Sequence, residues 1–249
     1  MVALPQWITI DPGGTCNLKC VQCPREDPNR PYIDHPVDPL VVTQVEDALP
    51  YLQRLQILSL SEPLLSDTFW HFVEHPSAKH LSNLDTSTNG TLLSPRNVER
   101  LLASSLRTLH ISIDGATETT YKRIRGGNLA KIKNGITRLT RRRKEVGRSD
   151  IVFVVVMTLM KENIRELPLM MDLASEVGVE RVWAQHLVVK GEGFNENWKI
   201  QRDGWQFDYE DQCLSHAPGL SNEMVRAASA RAQELGVIFD LDPNLWLRE

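Results

Sequence analysis

Lys144-Glu-Val-Gly147-Arg-Ser-Asp-Ile151-Val-Phe-Val-Val-Val-Met-Thr158 carries the pattern that decides the fold. A charged helix end meets a glycine, and after a short polar link the most apolar run of the chain begins. Glycine accepts the left-handed backbone that closes a helix and turns the chain back. The same ending recurs at Glu176-Val-Gly178 and Glu234-Leu-Gly236. Two of the three endings are followed almost at once by a strand-like run. Repeated helix, glycine, strand units imply right-handed crossovers and a parallel sheet.

Working outward, strands are expected at residues 7–11, 56–60, 84–88, 108–113, 151–158 and 181–187, with a short one at 237–240. Residues 40–52, 69–75, 94–103, 128–146, 164–177 and 222–235 read as helices, several with apolar residues at helical spacing. Six such units fit a barrel or an incomplete barrel, whose chemistry would lie in the loops after the strands. Polar residues do collect there: Gly13-Gly14-Thr15-Cys16, Ser61-Glu62-Pro63, Thr88-Asn89-Gly90, Asp114-Gly115, Thr158 and Gln185-His186. Such residues are also ordinary turn formers, so it is their recurrence on one rim that points to a shared site.

The 249 residues carry 28 basic and 32 acidic side chains, a net charge of −4, with 41% hydrophobic and 24% charged residues. That composition supports a packed core over residues 1–249 as a single domain and argues against long disorder. The mild acidity argues against nucleic acid as a partner. No apolar run approaches the ~18 residues of a membrane span. Met-Val-Ala-Leu-Pro-Gln-Trp at the N-terminus shows no secretory signal pattern. Three of the four cysteines crowd between Cys16 and Cys23, which implies metal or redox chemistry in a reducing cytoplasm.

Cys16-Asn-Leu-Lys-Cys20-Val-Gln-Cys23 is the sharpest chemical signal, within a cluster loop over residues 12–26. A structural zinc site wants four ligands, and so does a fully ligated [4Fe-4S] cube. Three local thiolates on a cube leave one iron open to a non-protein ligand. Zinc completed by His35, or a Cys20–Cys23 dithiol, are the alternatives; the dithiol leaves Cys16 unexplained.

The spacing Cys-x3-Cys-x2-Cys after a first strand resembles the signature of the radical S-adenosylmethionine (SAM) superfamily. Ser59-Leu-Ser-Glu62-Pro63-Leu-Leu resembles that family's Gly-Glu-Pro loop, with Ser61 where glycine is usual and an altered loop expected. Thr88-Asn89-Gly90 resembles its Thr-Asn-Gly motif. Ser112-Ile-Asp114-Gly115 and the stretch from Glu118 to Gly127 resemble its SPASM/MoaA-like branch. The resemblance runs from residue 7 to about 240. It implies an α/β fold, an incomplete (β/α)6 TIM-like barrel of parallel strands. It also implies a [4Fe-4S] cluster on Cys16, Cys20 and Cys23 whose open iron is chelated by SAM. One electron, from a donor such as flavodoxin or ferredoxin, would cleave SAM to methionine and a 5′-deoxyadenosyl radical that takes hydrogen from a peptide or small-metabolite substrate.

The same resemblance implies roles for further residues. Glu62 would receive the SAM ammonium, or be a solvated turn carboxylate. Asn89 belongs to the Thr-Asn-Gly contact. Ser112 sits where the SAM ribose or carboxylate is met, and Asp114 is either a SAM contact or a helix cap. Arg123 and Arg125 could grip the SAM carboxylate or lie on a solvated helix. Gln185 and His186 end strand six, where the family meets adenine; a lone histidine there equally reads as packing.

Between Lys122 and Arg148 stand eleven basic residues and one acid, either a helix end matched to its dipole or a docking face. Cys213 reads as an isolated buried cysteine. One cysteine cannot hold the auxiliary clusters that the branch usually carries C-terminally, so a natural minimal member or the core of a longer protein is expected. Residues 25–39 and 188–217 are candidate lids, read as long loops without secondary structure. Alternative functions are a glycyl-radical-activating enzyme and a non-catalytic iron–sulfur or zinc module.

Overall fold

The computed structural model describes residues 5–188 and 197–241. The strands are β1 (Trp7–Ile10), β2 (Arg54–Ile57), β3 (Asn83–Thr88), β4 (Thr108–Ser112), β5 (Val152–Leu159), β6 (Arg181–His186), β7 (Lys199–Arg202), β8 (Trp205–Asp208) and β9 (Ile238–Leu241). Seven of them form one sheet in the order β1-β2-β3-β4-β5-β6-β9, each neighbour parallel. β1 and β9 are not paired, so the barrel stays open. The incomplete parallel barrel expected from the sequence is the fold found, with one correction. The sheet has seven strands rather than six, because β9, seen in the sequence only as a short strand, completes the edge beside β6.

Helices α1 (Pro39–Ala48), α2 (Asp67–Glu74), α3 (Pro95–Ala103), α4 (Glu118–Arg125), α5 (Leu129–Glu145), α6 (Leu167–Glu176), α7 (Tyr209–Gln212) and α8 (Pro218–Leu235) connect the strands. Side chains of Asp38, Ser66, Ser94, Thr117 and Asn128 cap helix N-termini, supplying acceptors for amides that have no partner within the helix. Gly147, Gly178 and Gly236 take φ of 70°, 74° and 67°, the left-handed conformation their position demanded. Among the described residues no helix is long and apolar enough to cross a membrane.

Side chains alternate across each strand. Leu55, Leu84, Leu109, Ile111, Phe153, Val155 and Val182 are buried in one core with Phe69, Phe72, Leu101, Ile136 and Met170 of the helices. The opposite, concave face is polar: Arg54, Gln56, Asp85, Ser87, His110, Ser112, Trp183 and Gln185 line a cavity of about 460 Å³. Packed apolar layers fill a closed barrel of this type; here the inner face is a solvent-accessible site wall.

Two further expectations are corrected. β2 ends at Ile57, not residue 60: Ser59 and Ser61 bond each other's side chains at 2.6 Å, and Ser61 N donates to Ser59 Oγ at 2.9 Å, a local turn that ends the ladder. Residues 188–217 are not a structureless lid, since they hold the antiparallel hairpin β7–β8 and α7; residues 189–196 of that segment lie outside the described residues. The basic block, read in the sequence as a helix end or a docking face, is partly paired. Lys133 pairs with Glu176, Arg142 with Glu99, Arg143 with Glu180 and Arg148 with Asp150, so acids on neighbouring elements meet it.

Gly13 has φ of 65°, and a Cβ on it would stand 2.6 Å from His35 O and 2.8 Å from Val37 N. Both obstacles are backbone. Gly13→Ala should therefore cost more than about 1 kcal/mol, lowering the melting temperature by at least about 2–4 °C for a chain of this size. An unchanged melt would show that the 11–14 turn relaxes freely.

Candidate metal and cofactor site

The cysteine loop leaves β1 through a built turn. Asp11 Oδ1 accepts Gly13 N at 2.8 Å, and Gly14 N donates to His35 O at 3.1 Å. The loop after β2 braces it from beside: Ser61 Oγ donates to Gly13 O at 2.8 Å, Ser66 Oγ to Pro12 O at 3.0 Å, and Glu62 N to Thr15 O at 2.9 Å. Ser61, which departs from glycine at this point, uses its hydroxyl to hold the cysteine loop. Further along, Cys23 N donates to Cys20 O at 3.0 Å and Val21 N to Ile124 O at 3.0 Å.

Cys20 is buried, while Cys16 and Cys23 are partly exposed. Burial pushes the Cys20 thiol up to about 12, with Cys23, Asp114 and Cys16 adding to the rise and Arg125 opposing it. Burial raises Cys23 as well, against a backbone N–H from Arg25 and with Cys16 adding. Cys20 and Cys23 thus each stand close enough to the neighbouring sulfurs to feel their charge. Among the described residues no three Cys, His, Asp or Glu side chains gather around the position of a single ion. The donor set, three thiols within one loop, fits a cluster in which each cysteine takes a different iron.

Glu62 is 1% exposed. Its Oε1 accepts Thr88 Oγ1 at 2.6 Å and Leu64 N at 3.2 Å, and its Oε2 accepts Asn89 N at 2.8 Å. Burial pushes its carboxyl above the usual range, and these bonds oppose the rise. A carboxylate offers about four acceptor positions, so three are used and one on Oε2 remains. Asn89 carries the chain of contacts to the cysteines: its Nδ2 donates to Asn17 Oδ1 at 2.8 Å and lies 3.8 Å from Cys16 Sγ. Its Oδ1 accepts Thr91 N and Thr91 Oγ1.

Asp114, also 1% exposed, is the second brace. Its Oδ2 accepts Gln22 Nε2 at 2.6 Å and Arg125 Nε at 2.7 Å, and its Oδ1 accepts Thr158 N at 2.8 Å. It caps no helix; Thr117 caps α4. Burial works against the Arg125 charge, but Asp114, Cys20 and Tyr121 together outweigh it and hold the guanidinium protonated. Arg123, by contrast, pairs with Glu162 and lies 5.7 Å over the Trp205 ring. Arg125, not Arg123, is therefore the cation turned toward the cysteine loop.

Ser112 Oγ shares a 3.2 Å bond with Ser87 Oγ on the concave face. Gln185 Nε2 donates to Thr158 Oγ1 at 3.4 Å. Gln185 and Thr158 border both the inner cavity and a second cleft of about 490 Å³. The cleft is walled by Gln22 and Pro24 of the cysteine loop, by Asp27, Arg30 and Tyr32 of one expected lid, and by Trp198 and Tyr209 of the other. Among the described residues, Gln22 Oε1 and Trp198 Nε1 are buried there without a hydrogen-bond partner. His186 Nε2 bonds Ser221 Oγ at 2.9 Å, which favours its packing role. Cys213 is buried and donates to Tyr209 O at 3.3 Å. Thr158 stood among the rim residues in the sequence, whereas Gln22 and Asn17 were not singled out, although both lie inside the cysteine motif.

Breaking a buried ion pair from one side costs about 3–5 kcal/mol. Asp114→Asn should lower the melting temperature by on the order of 10 °C, and adding Arg125→Met should restore part of the loss, since removing both charges is far less costly. A single variant that melts like the parent would overturn the bracing role.

The radical SAM superfamily model matches residues 10–174. An AdoMet-dependent heme synthase from Methanosarcina barkeri is 28% identical over 199 residues, covering 78% of this chain and 54% of its own. The mycofactocin maturase MftC of Mycobacterium ulcerans is 31% identical over 170 residues, 66% of this chain and 42% of its own. This chain thus spans about half the length of these curated relatives. Streptococcus suis SuiB bound to S-adenosylmethionine superposes with a TM-score of 0.68 at 18% identity, over 97% of this chain and 52% of SuiB. SuiB bound to its precursor peptide SuiA gives 0.67 at 17%, over 97% of this chain and 50% of SuiB.

Proposed function

The chain belongs to the radical SAM superfamily, with its relatives in the SPASM/MoaA-like branch, and on that premise we propose that it is the catalytic core of an enzyme acting on a peptide. The observation that carries the reading is the cysteine loop: three thiols within eight residues, braced at the C-terminal rim of an open parallel barrel by contacts that run to two buried carboxylates, Glu62 and Asp114. Cys16, Cys20 and Cys23 would hold a [4Fe-4S] cluster. When bound, the cluster and SAM supply one-electron cleavage to methionine and a 5′-deoxyadenosyl radical.

The chain's own residues then divide the work. The remaining acceptor position on Glu62 Oε2 receives the SAM ammonium, a charge-assisted bond. Asn89 donates toward Cys16 and orients the Thr-Asn-Gly turn. Ser112 meets the ribose from the concave face. Gln185, with Thr158 and Gln22, borders the cleft that takes the adenine. Asp114 positions rather than touches, keeping Gln22 and the Cys20 side of the loop in place through Arg125. The cleft walls from the two lid segments exclude water from the reacting centre, which a radical requires. An acidic redox protein such as flavodoxin or ferredoxin would supply the electron.

The peptide reading draws on the maturase relative and on the fold shared with SuiB; a small metabolite is the alternative for the same site.

Two experiments test the assignment. Changing Cys16, Cys20 or Cys23 to Ala should abolish iron retention after anaerobic reconstitution, whereas Cys213→Ala should keep it. Retained iron in a loop variant, or its loss in the Cys213 variant, would contradict the ligand set. Glu62→Gln should weaken SAM binding by roughly tenfold or more, from a bond of ~1.5–3 kcal/mol, as read by calorimetry; unchanged affinity would return Glu62 to a bracing role alone.

A further inference from the structure

The hairpin β7–β8 touches two parts of the site at once. Its turn, Asp203-Gly204, has φ of 49° and 77°, the two left-handed residues that fit a tight hairpin. It sets Arg202 directly opposite Trp205. Arg202 Nη1 donates to Ile124 O at 3.0 Å and to Arg123 O at 3.3 Å, and its Nη2 donates to Lys19 O. Arg123 and Ile124 lie in the last turn of α4, whose carbonyls lack partners within the helix and carry its negative dipole end. Lys19 precedes Cys20. Ile124 O also accepts Val21 N at 3.0 Å, so one carbonyl joins the helix end, the cysteine loop and the hairpin.

Apolar packing runs in parallel with this joint. Val21 is fully buried in a small cluster, apart from the main core, with Ile124, Met160, Trp198 and Phe207. Trp198 and Tyr209, flanking the hairpin, also wall the 490 Å³ cleft. Gly126 lies beneath the guanidinium: a Cβ there would be 3.5 Å from Arg202 Nη1.

We propose that Arg202 is a positioning residue for the cysteine loop, its planar guanidinium pinning the Lys19–Val21 segment to the C-terminus of α4 and so tying the cleft wall to Cys20. Only arginine presents a rigid fork that can reach three carbonyls. The role rests on the site reading above for its purpose, but its geometry is a property of the chain itself and is testable without the cluster.

The test is alkylation of reduced, metal-free protein by iodoacetamide, followed at each cysteine by peptide mass spectrometry. Arg202→Ala should speed modification of buried Cys20 by roughly tenfold, the signature of easier local opening, while Cys16 stays within about twofold. Arg202→Lys, with one ammonium for three carbonyls, should fall between. Lys122→Ala removes the exposed 3.8 Å pair with Asp203 on the same hairpin and should leave Cys20 as protected as in the parent. A thermal melt confirms that each variant is folded. Cys20 reacting at the parent rate in Arg202→Ala, or as fast in Lys122→Ala as in Arg202→Ala, would overturn the proposal. Failure of the cluster assignment would show separately, as parent protein that takes up no iron, and would leave the alkylation result standing.

Discussion

A carboxylate buried at the rim of a barrel must be met by donors, and Asp114 is met by three from different parts of the chain. Gln22 comes from the cysteine loop, Arg125 from the end of α4, and Thr158 from the end of β5. An unpaired charge there would cost several kcal/mol, so the three elements are obliged to converge. Asn163 adds a bond from its amide to the Asp114 carbonyl at 3.0 Å. Glu62 imposes the same obligation on the opposite side, binding β3 to the loop after β2. The cysteine loop sits between two such anchors, and its geometry follows from them.

The anchors also explain why the inner face can remain polar. The barrel's stability resides in the layer between strands and helices, where Leu, Ile, Val and Phe are buried. The concave face is thereby released from packing and carries Asp85, held by Arg54, Gln56 and Asn83. It also carries His110, whose ionisation is pushed downward by burial, with Asp85 opposing the shift. A polar wall open on one side suits a site that must admit a substrate and then be covered. The two segments expected as covers do meet over one cleft, Tyr32 from one and Trp198 and Tyr209 from the other.

Local signals made much of this legible. Glycine after helix, apolar runs and polar residues after strands located the sheet strands, the last of them only as a short run, because each depends on neighbours in sequence. Three cysteines within eight positions declared their chemistry for the same reason. What was hidden depends on distance. Gln22 and Asp114 are 92 residues apart, and nothing near either predicts their bond. Arg123 and Arg125 looked equivalent until α4 turned one outward to Glu162 and the other inward. The hairpin was the exception, a missed local signal: Lys-Ile-Gln-Arg202 and Trp205-Gln-Phe-Asp alternate about Asp203-Gly204, a recognisable strand–turn–strand pattern.

The central claim is that these elements assemble a radical SAM centre. Its most direct measurement is anaerobic: the iron-reconstituted chain is reduced with dithionite in the presence of SAM, and 5′-deoxyadenosine is quantified by mass spectrometry. The account predicts deoxyadenosine from the parent chain and none from the Cys20→Ala variant. Protein that is colourless and holds zinc, or a reconstituted cluster that releases no deoxyadenosine under reduction, would contradict it.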